Sequence, residues 1–223
     1  FNIHIVKNWR RIGAIIGSIG CIEFVIFSTI AMFFYGGGTS WDKSAEGYTF
    51  WHNVLSDLGR TISYSGVPNT VSSPMFNVAL SFFGICIIVI YLSMGKNFLR
   101  PYWLLLIILI GGIISGTGIV IIGFAPDDIL SNYHMLGVWM WALPLFAVLL
   151  LFIINAVINR IYDILLFITS MLAIALFIHI GQGVTGMWSP IVAATQKIVV
   201  YLNITWYLWI CRKISAQEIT TFS

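Results

Sequence analysis

Ten consecutive residues, His52 to Thr61, read HNVLSDLGRT. They bring a histidine, an asparagine, a serine, an aspartate and an arginine together. On a helix His52 and Ser56 stand at i and i+4, as do Asn53 and Asp57, and Ser56 and Arg60. Three chemistries suit such a set. Imidazoles and carboxylates suit a metal such as zinc, whose bound water could hydrolyse a lipid amide or ester. An arginine suits an anionic headgroup in a binding pocket without chemistry. The same residues can also cap helices and pin a loop, with Asp57 and Arg60 as a local salt bridge. Serine nucleophilic catalysis has less support. Asp57 is adjacent to Ser56 and would point elsewhere on a helix, and no GxSxG elbow or phosphate-cradling loop occurs.

Further polar groups lie far off in sequence. GFAPDDILSNYH, residues 123–134, supplies Asp127, Asp128 and His134. FIHIGQG, residues 177–183, supplies His179 and Gln182. Gln196 and Lys197 stand together in the last apolar segment, with Asn203 and Thr205 beyond them. Metal-ligand candidates are His52, His134 and His179, with Asp57 and Asp127 or Asp128 as carboxylates, but no HExxH or other tight ligand motif joins them. The preferred reading has no cofactor and keeps zinc as the alternative. Ligand-pocket candidates are Ser56, Asp57, Arg60, Asn77, Asp127, His134, Gln196 and Lys197. Glu23, in the middle of the first apolar segment, is matched with Lys197 as an intramembrane ion pair, because lone charges in hydrocarbon are costly.

The elements that must position these groups are membrane helices. Of 223 residues, 59% are hydrophobic and 9% charged. A soluble domain carries roughly 25% charged residues, so the composition indicates an integral membrane protein. The net charge of +3 gives no reason to invoke nucleic acid. Cys21, Cys86 and Cys211 fall in apolar runs and read as small core residues. Six segments reach the roughly 20 apolar residues a span needs: about 12–35, 74–94, 101–124, 134–157, 161–182 and 190–210. The first is not followed by a small-residue cleavage pattern and reads as a span. The expected fold is all-α: an integral membrane six-helix bundle forming one domain over residues 1–223.

Eight basic residues (Lys7, Arg10, Arg11, Lys96, Arg100, Arg160, Arg212 and Lys213) would lie on one side, against Lys43 and Arg60 on the other. The positive-inside rule then puts both termini in the cytoplasm of a multi-pass cell-membrane protein. Trp41, Trp51, Tyr91, Tyr102, Trp103, Tyr133, Trp188 and Trp209 read as an interfacial aromatic belt. Small residues in GGIISGTGIV of the third segment (Gly111, Gly112, Ser115, Gly116, Gly118) predict close helix packing.

One outer loop is long, 36–73. Its YGGGTSWDKSAEGYTF start reads as flexible and exposed. Trp51, Val54, Leu55 and Leu58 then fall on one helical face, which predicts a short amphipathic interfacial helix with Gly59 as its C-cap.

Several of these stretches resemble the polytopic membrane proteins grouped as domain of unknown function 998, themselves distantly similar to the DRAM/Frag/Sfk membrane proteins. HNVLSDLG, SSPMFNVALSFFGICII, GFAPDDILSNYHMLG and ATQKIVVYLNITWYLW carry the likeness, in order along the chain. The Ala inside GFAP and the long loop before WHNVLSD depart from the pattern. The resemblance implies a six-helix bundle, no particular activity, and a shared pattern that includes Ser56, Asp57, Asn77, Asp127, His134 and Lys197. The resulting expectation is an outward-facing polar pocket in a binding or scaffolding protein, or an accessory subunit of a membrane complex. Its partners are membrane lipids and other membrane subunits. The alternative is a metal-dependent or lipid-modifying intramembrane enzyme. No inverted repeat or broken helix pair points to transport.

Overall fold

The computed structural model describes residues 3–95, 98–99, 101–186 and 190–219, with backbone alone for 3–8 and 217–219. Lys96, Arg100 and Trp188 lie outside the described residues, as does the Lys7 side chain. Six long helices follow in order: α1 (Ile3–Phe33), α2 (Ser72–Leu92), α3 (Tyr102–Phe124), α4 (Asp127–Ile158), α5 (Ile164–Val184) and α6 (Pro190–Ile219). A 3-10 turn, Leu55–Gly59, lies between α1 and α2. Among the described residues the only strand-like feature is an isolated bridge from Ile62 to Pro68.

Five helices are long and apolar enough to cross a membrane: Trp9–Phe33 within α1, and all of α2, α3, α4 and α5. The chain is accordingly a multi-pass membrane protein. α6 is long enough but more polar, because Gln196, Lys197 and Asn203 interrupt its apolar sequence.

Each helix packs on the next, and α6 closes back on α1. Small residues set the spacing around α3. A Cβ on Gly118 would stand 2.5 Å from the backbone nitrogen of Trp141 in α4, and one on Gly112 would stand 2.3 Å from the Tyr91 ring in α2. Ser115 Oγ donates to the Trp141 carbonyl at 3.1 Å. The small-residue faces of the third segment thus serve two different neighbours. Cys21, Cys86 and Cys211 are free and buried, as expected.

α4 starts seven residues before the apolar segment suggested. Pro126 (φ −53°, ψ 132°) ends the α3 connection, and Asp127 and Asp128 occupy the first turn, where carboxylates oppose the helix dipole favourably. Leu130 (φ −122°, ψ 44°) leaves helical geometry and kinks this turn away from the rest of α4. α1 and α6 likewise run beyond their apolar cores, since a helix does not stop where the hydrocarbon would.

The loop of 36–71 is ordered and folds over one end of the ring, where α1, α3 and α5 end and α2, α4 and α6 begin. This is the loop end below. The glycine stretch expected to be flexible and exposed is instead held under the loop. Gly37 and Gly38 are buried, with φ of 103° and 81°, and a Cβ on Gly38 would stand 2.5 Å from Ser65 nitrogen. Only glycine suits that combination of conformation and crowding.

Candidate functional site

The opening motif does not form the expected amphipathic helix. Trp51 is 60% exposed and His52 is exposed, while Leu55 and Leu58 are buried. The helical part shrinks to the 3-10 turn, which touches α1, α2, α4 and α6. It therefore plugs the loop end of the ring rather than lying flat beside it. Trp51 is left out because the chain before Val54 bends: the backbone N–H groups of His52 and Asn53 both donate to the Thr49 carbonyl.

Asp57 organises the plug from within. Its Oδ2 accepts from Asn53 Nδ2 at 2.9 Å and from the Val54 backbone N–H at 3.1 Å. The second bond is the reach-back of a carboxylate at the third position of a helix. Burial pushes the Asp57 carboxyl up to about 6, although the Asn53 hydrogen bond and the positive charges of Arg60 and Lys197 act the other way. Asn53 Nδ2 also reaches the Gly38 carbonyl at 2.9 Å, which ties the glycine stretch to the plug.

Three of the four helices that meet the plug supply side-chain anchors. From α6, Gln196 Oε1 accepts from Leu55 N–H at 2.6 Å, and Lys197 Nζ donates to the Asn53 carbonyl. Lys197 is 1% exposed and also sits over the rings of Tyr48 and Phe50. From α2, Asn77 Nδ2 donates to the Gly59 carbonyl at 3.0 Å and Ser73 Oγ to the same carbonyl at 2.9 Å. From α4, Asp128 accepts from Thr61 N–H at 3.1 Å, Thr61 Oγ1 at 2.6 Å and Ile62 N–H at 2.9 Å. Asp127 pairs with Arg60 at 3.3 Å, and the Arg60 guanidinium stacks 4.1 Å from the Tyr64 ring centroid.

Three sequence expectations are corrected here. Glu23 and Lys197 form no ion pair: Lys197 binds the Asn53 carbonyl, and Glu23 Oε2 has no hydrogen-bond partner among the described residues. Arg60 bridges to Asp127 rather than to Asp57. Gly59 is not a left-handed C-cap. It is needed because a Cβ there would lie 2.3 Å from Asn77 Oδ1.

Beneath the plug lies a cavity of about 220 Å³. Ser56, Asp57, Asp127, His134 and Gln196 line it, as do His179 and Gln182 of α5. Arg60, Asn77 and Lys197 do not; they hold the plug. The other wall is apolar, including Phe24, Phe76, Leu80, Phe83, Val138 and Ala142. Among its lining residues there is no lysine or arginine. Ser56 hydroxyl is in the lining and forms no side-chain hydrogen bond of its own among the described residues. His134 Nδ1 lies 2.8 Å from the Ala125 carbonyl. A carbonyl only accepts, so Nδ1 carries the proton, and a neutral ring leaves Nε2 as an acceptor. His179 Nδ1 lies 3.5 Å from Thr195 Oγ1, which donates to Gln182 Oε1 at 2.6 Å and joins α5 to α6.

Of the metal-ligand candidates, His134 and His179 share the cavity and His52 stands outside it. Among the described residues no three His, Cys, Asp or Glu side chains cluster at metal-binding range.

Sequence reasoning singled out Asn203 without placing it at the site, and did not select Trp141, yet both line the cavity. A spacing could have found them: Trp141 follows His134, and Asn203 follows Gln196, by seven residues, two helical turns. Comparison with protein-family models, with curated proteins and with solved structures gives no match.

Proposed function

We propose that this chain is a six-helix bundle of the cell membrane that binds an amphipathic ligand, such as a membrane lipid, in an outward-facing pocket. The carrying observation is the cavity itself, polar beneath the plug and apolar along α1, α2 and α4. Such a gradient suits a molecule with a polar head and a hydrocarbon tail. α6 would count as the sixth span, its polar side chains turned to the plug and the cavity rather than to lipid. The basic residues counted above support cytoplasmic termini, which makes the loop end the outer one. The resemblance to the domain of unknown function 998 proteins agrees with this architecture and assigns no reaction. An accessory role in a larger membrane complex is compatible with ligand binding of this kind.

Ser56→Cys offers a direct test, because the native cysteines are all buried. A membrane-impermeant maleimide should label Cys at this position from outside intact cells. Mild purification followed by native mass spectrometry should find a retained lipid, and delipidation should speed the labelling. Labelling only from the cytoplasmic side would sink the orientation, and a lipid-free protein with unchanged labelling would sink the binding reading. Recovery of cleaved lipid would replace binding by a lipid-modifying reaction, with Asp57 and His134 as its acid–base groups.

A further inference from the structure

The cavity has two polar levels. The first holds His134 and Gln196, whose Oε1 accepts from the Leu55 N–H of the plug. The second holds Trp141 and Asn203, each seven residues further along α4 and α6. Both helices begin at the loop end, so the second level lies about 10 Å deeper at 1.5 Å rise per residue. There the surroundings are Phe24, Phe83, Val138 and Ala142.

Two donors at this depth have no protein partner among the described residues. Asn203 is 2% exposed and its Nδ2 has none; Trp141 is 7% exposed and its Nε1 has none. Buried donors are nearly always satisfied, and leaving one unpaired is costly. Both belong to residues that line one cavity, on helices either side of it, and together they mark a place where an acceptor oxygen belongs. The Trp141 backbone is fixed by Ser115 Oγ and by close contact with Gly118, so the indole is presented from a rigid wall.

The upper level sets the other end of the ligand. Its charged groups are the carboxylates Asp57 and Asp127, and no lysine or arginine is among the described lining residues. Lys197 and Arg60, the two nearby cations, are engaged by the Asn53 carbonyl and by Asp127. Arg60 offsets the charge of Asp127, which leaves Asp57 as the carboxylate that an anionic head would meet, whereas hydroxyls could donate to Asp57, Gln196 and His134 Nε2.

Building on the amphiphile-binding reading above, we infer that the cavity takes a neutral lipid with a polyhydroxyl head, of the glycosyl glycerolipid class. Its head occupies the His134–Gln196 level, and an ester carbonyl about 10 Å deeper accepts from Asn203 Nδ2 and Trp141 Nε1.

Competition binding in phosphatidylcholine nanodiscs, read by native mass spectrometry, tests this with three probes. They are monoglucosyl diacylglycerol, phosphatidylglycerol (same ester carbonyls, anionic head) and dodecyl glucoside (same head, no ester). Wild type should prefer the glucosyl lipid to phosphatidylglycerol by about tenfold or more. Trp141→Phe keeps the ring and loses the N–H; Asn203→Leu keeps the volume and loses the amide. Each should weaken the glucosyl lipid about tenfold and leave dodecyl glucoside unchanged. Trp141→Phe alone suffices if the Asn203 variant does not fold. Equal loss for both glucosides, or no loss, overturns the deep acceptor. Equal or better binding of phosphatidylglycerol overturns the neutral head while amphiphile binding stands. A wild-type protein that binds none of the three overturns both readings.

Discussion

The ammonium of Lys197 donates to the backbone carbonyl of Asn53, across 144 positions of sequence. One buried cation on α6 thereby fixes the residue whose side chain holds Asp57 and Gly38. This bond ties the roof of the cavity to α6. It also explains how a lysine is kept in a mostly apolar helix without a carboxylate partner: a carbonyl and two aromatic faces receive its charge.

Lys197→Met retains the stem and removes the charge. Tyr48 OH still donates to the Asn53 carbonyl at 3.3 Å, so that oxygen is not orphaned. The expected loss is about 2–3 kcal/mol, as for a hydrogen bond to a charged group. Melting in detergent should show it, together with faster proteolysis within residues 36–71. An unchanged melt would mean that the plug does not depend on α6.

Asp57 should make stability depend on pH. Its carboxyl sits at about 6 in the folded chain, against roughly 4 for an exposed aspartate. The folded state therefore holds the proton more tightly. The contribution is complete below about pH 4 and is lost as pH rises through about 6. Asp57→Asn mimics the protonated form and can still accept from Asn53 and Val54. Between pH 4 and pH 7 wild type should lose about 2–3 kcal/mol relative to the variant. Parallel melting curves for the two proteins over that range would refute the assignment.

Gly59→Ala places a Cβ 2.3 Å from Asn77 Oδ1. Overpacking of this kind costs about 1–3 kcal/mol. Asn77→Ala alone forfeits the bond to the Gly59 carbonyl, about 1 kcal/mol. The double variant should be more stable than the sum of the single losses predicts, because the clash disappears with the asparagine. Strict additivity of the melting shifts would place the cost of Gly59→Ala elsewhere.

The two aspartates that open α4 should differ sharply. Asp128 accepts three hydrogen bonds from Thr61 and Ile62, so Asp128→Ala should cost about 2–3 kcal/mol and free the turn after the plug. Arg60→Ala removes a partly exposed pair with Asp127, worth at most about 1 kcal/mol and weakened by salt, along with an exposed bond to the Ile62 carbonyl and the stack on Tyr64. Urea or thermal titrations at low and high salt separate the two. Equal losses would show that Arg60 matters through its packing on Tyr64 instead.

The class of the protein was legible in the sequence. Long apolar runs can satisfy their backbone only as helices in lipid, and small residues at four-residue spacing marked the close faces of α3. The polar residues were legible as a set, because ionisable groups stand out against such a background. Their division of labour was not. Ser56, Asp57, Asp127, His134 and Gln196 line the cavity, while Arg60, Asn77 and Lys197 hold the plug, and that split depends on which side chain meets which distant carbonyl. The amphipathic spacing of Trp51, Val54, Leu55 and Leu58 pointed to a helix on the membrane surface. Contacts with four helices override that local pattern and leave only a 3-10 turn. Asn203 and Trp141 gained meaning only when the ring closed and brought two separate seven-residue steps, on α4 and α6, to face one space. Composition and periodicity mark which segments are apolar enough to cross a membrane. Which side chains share a cavity is decided by packing between helices far apart in the chain, and no local spacing encodes that.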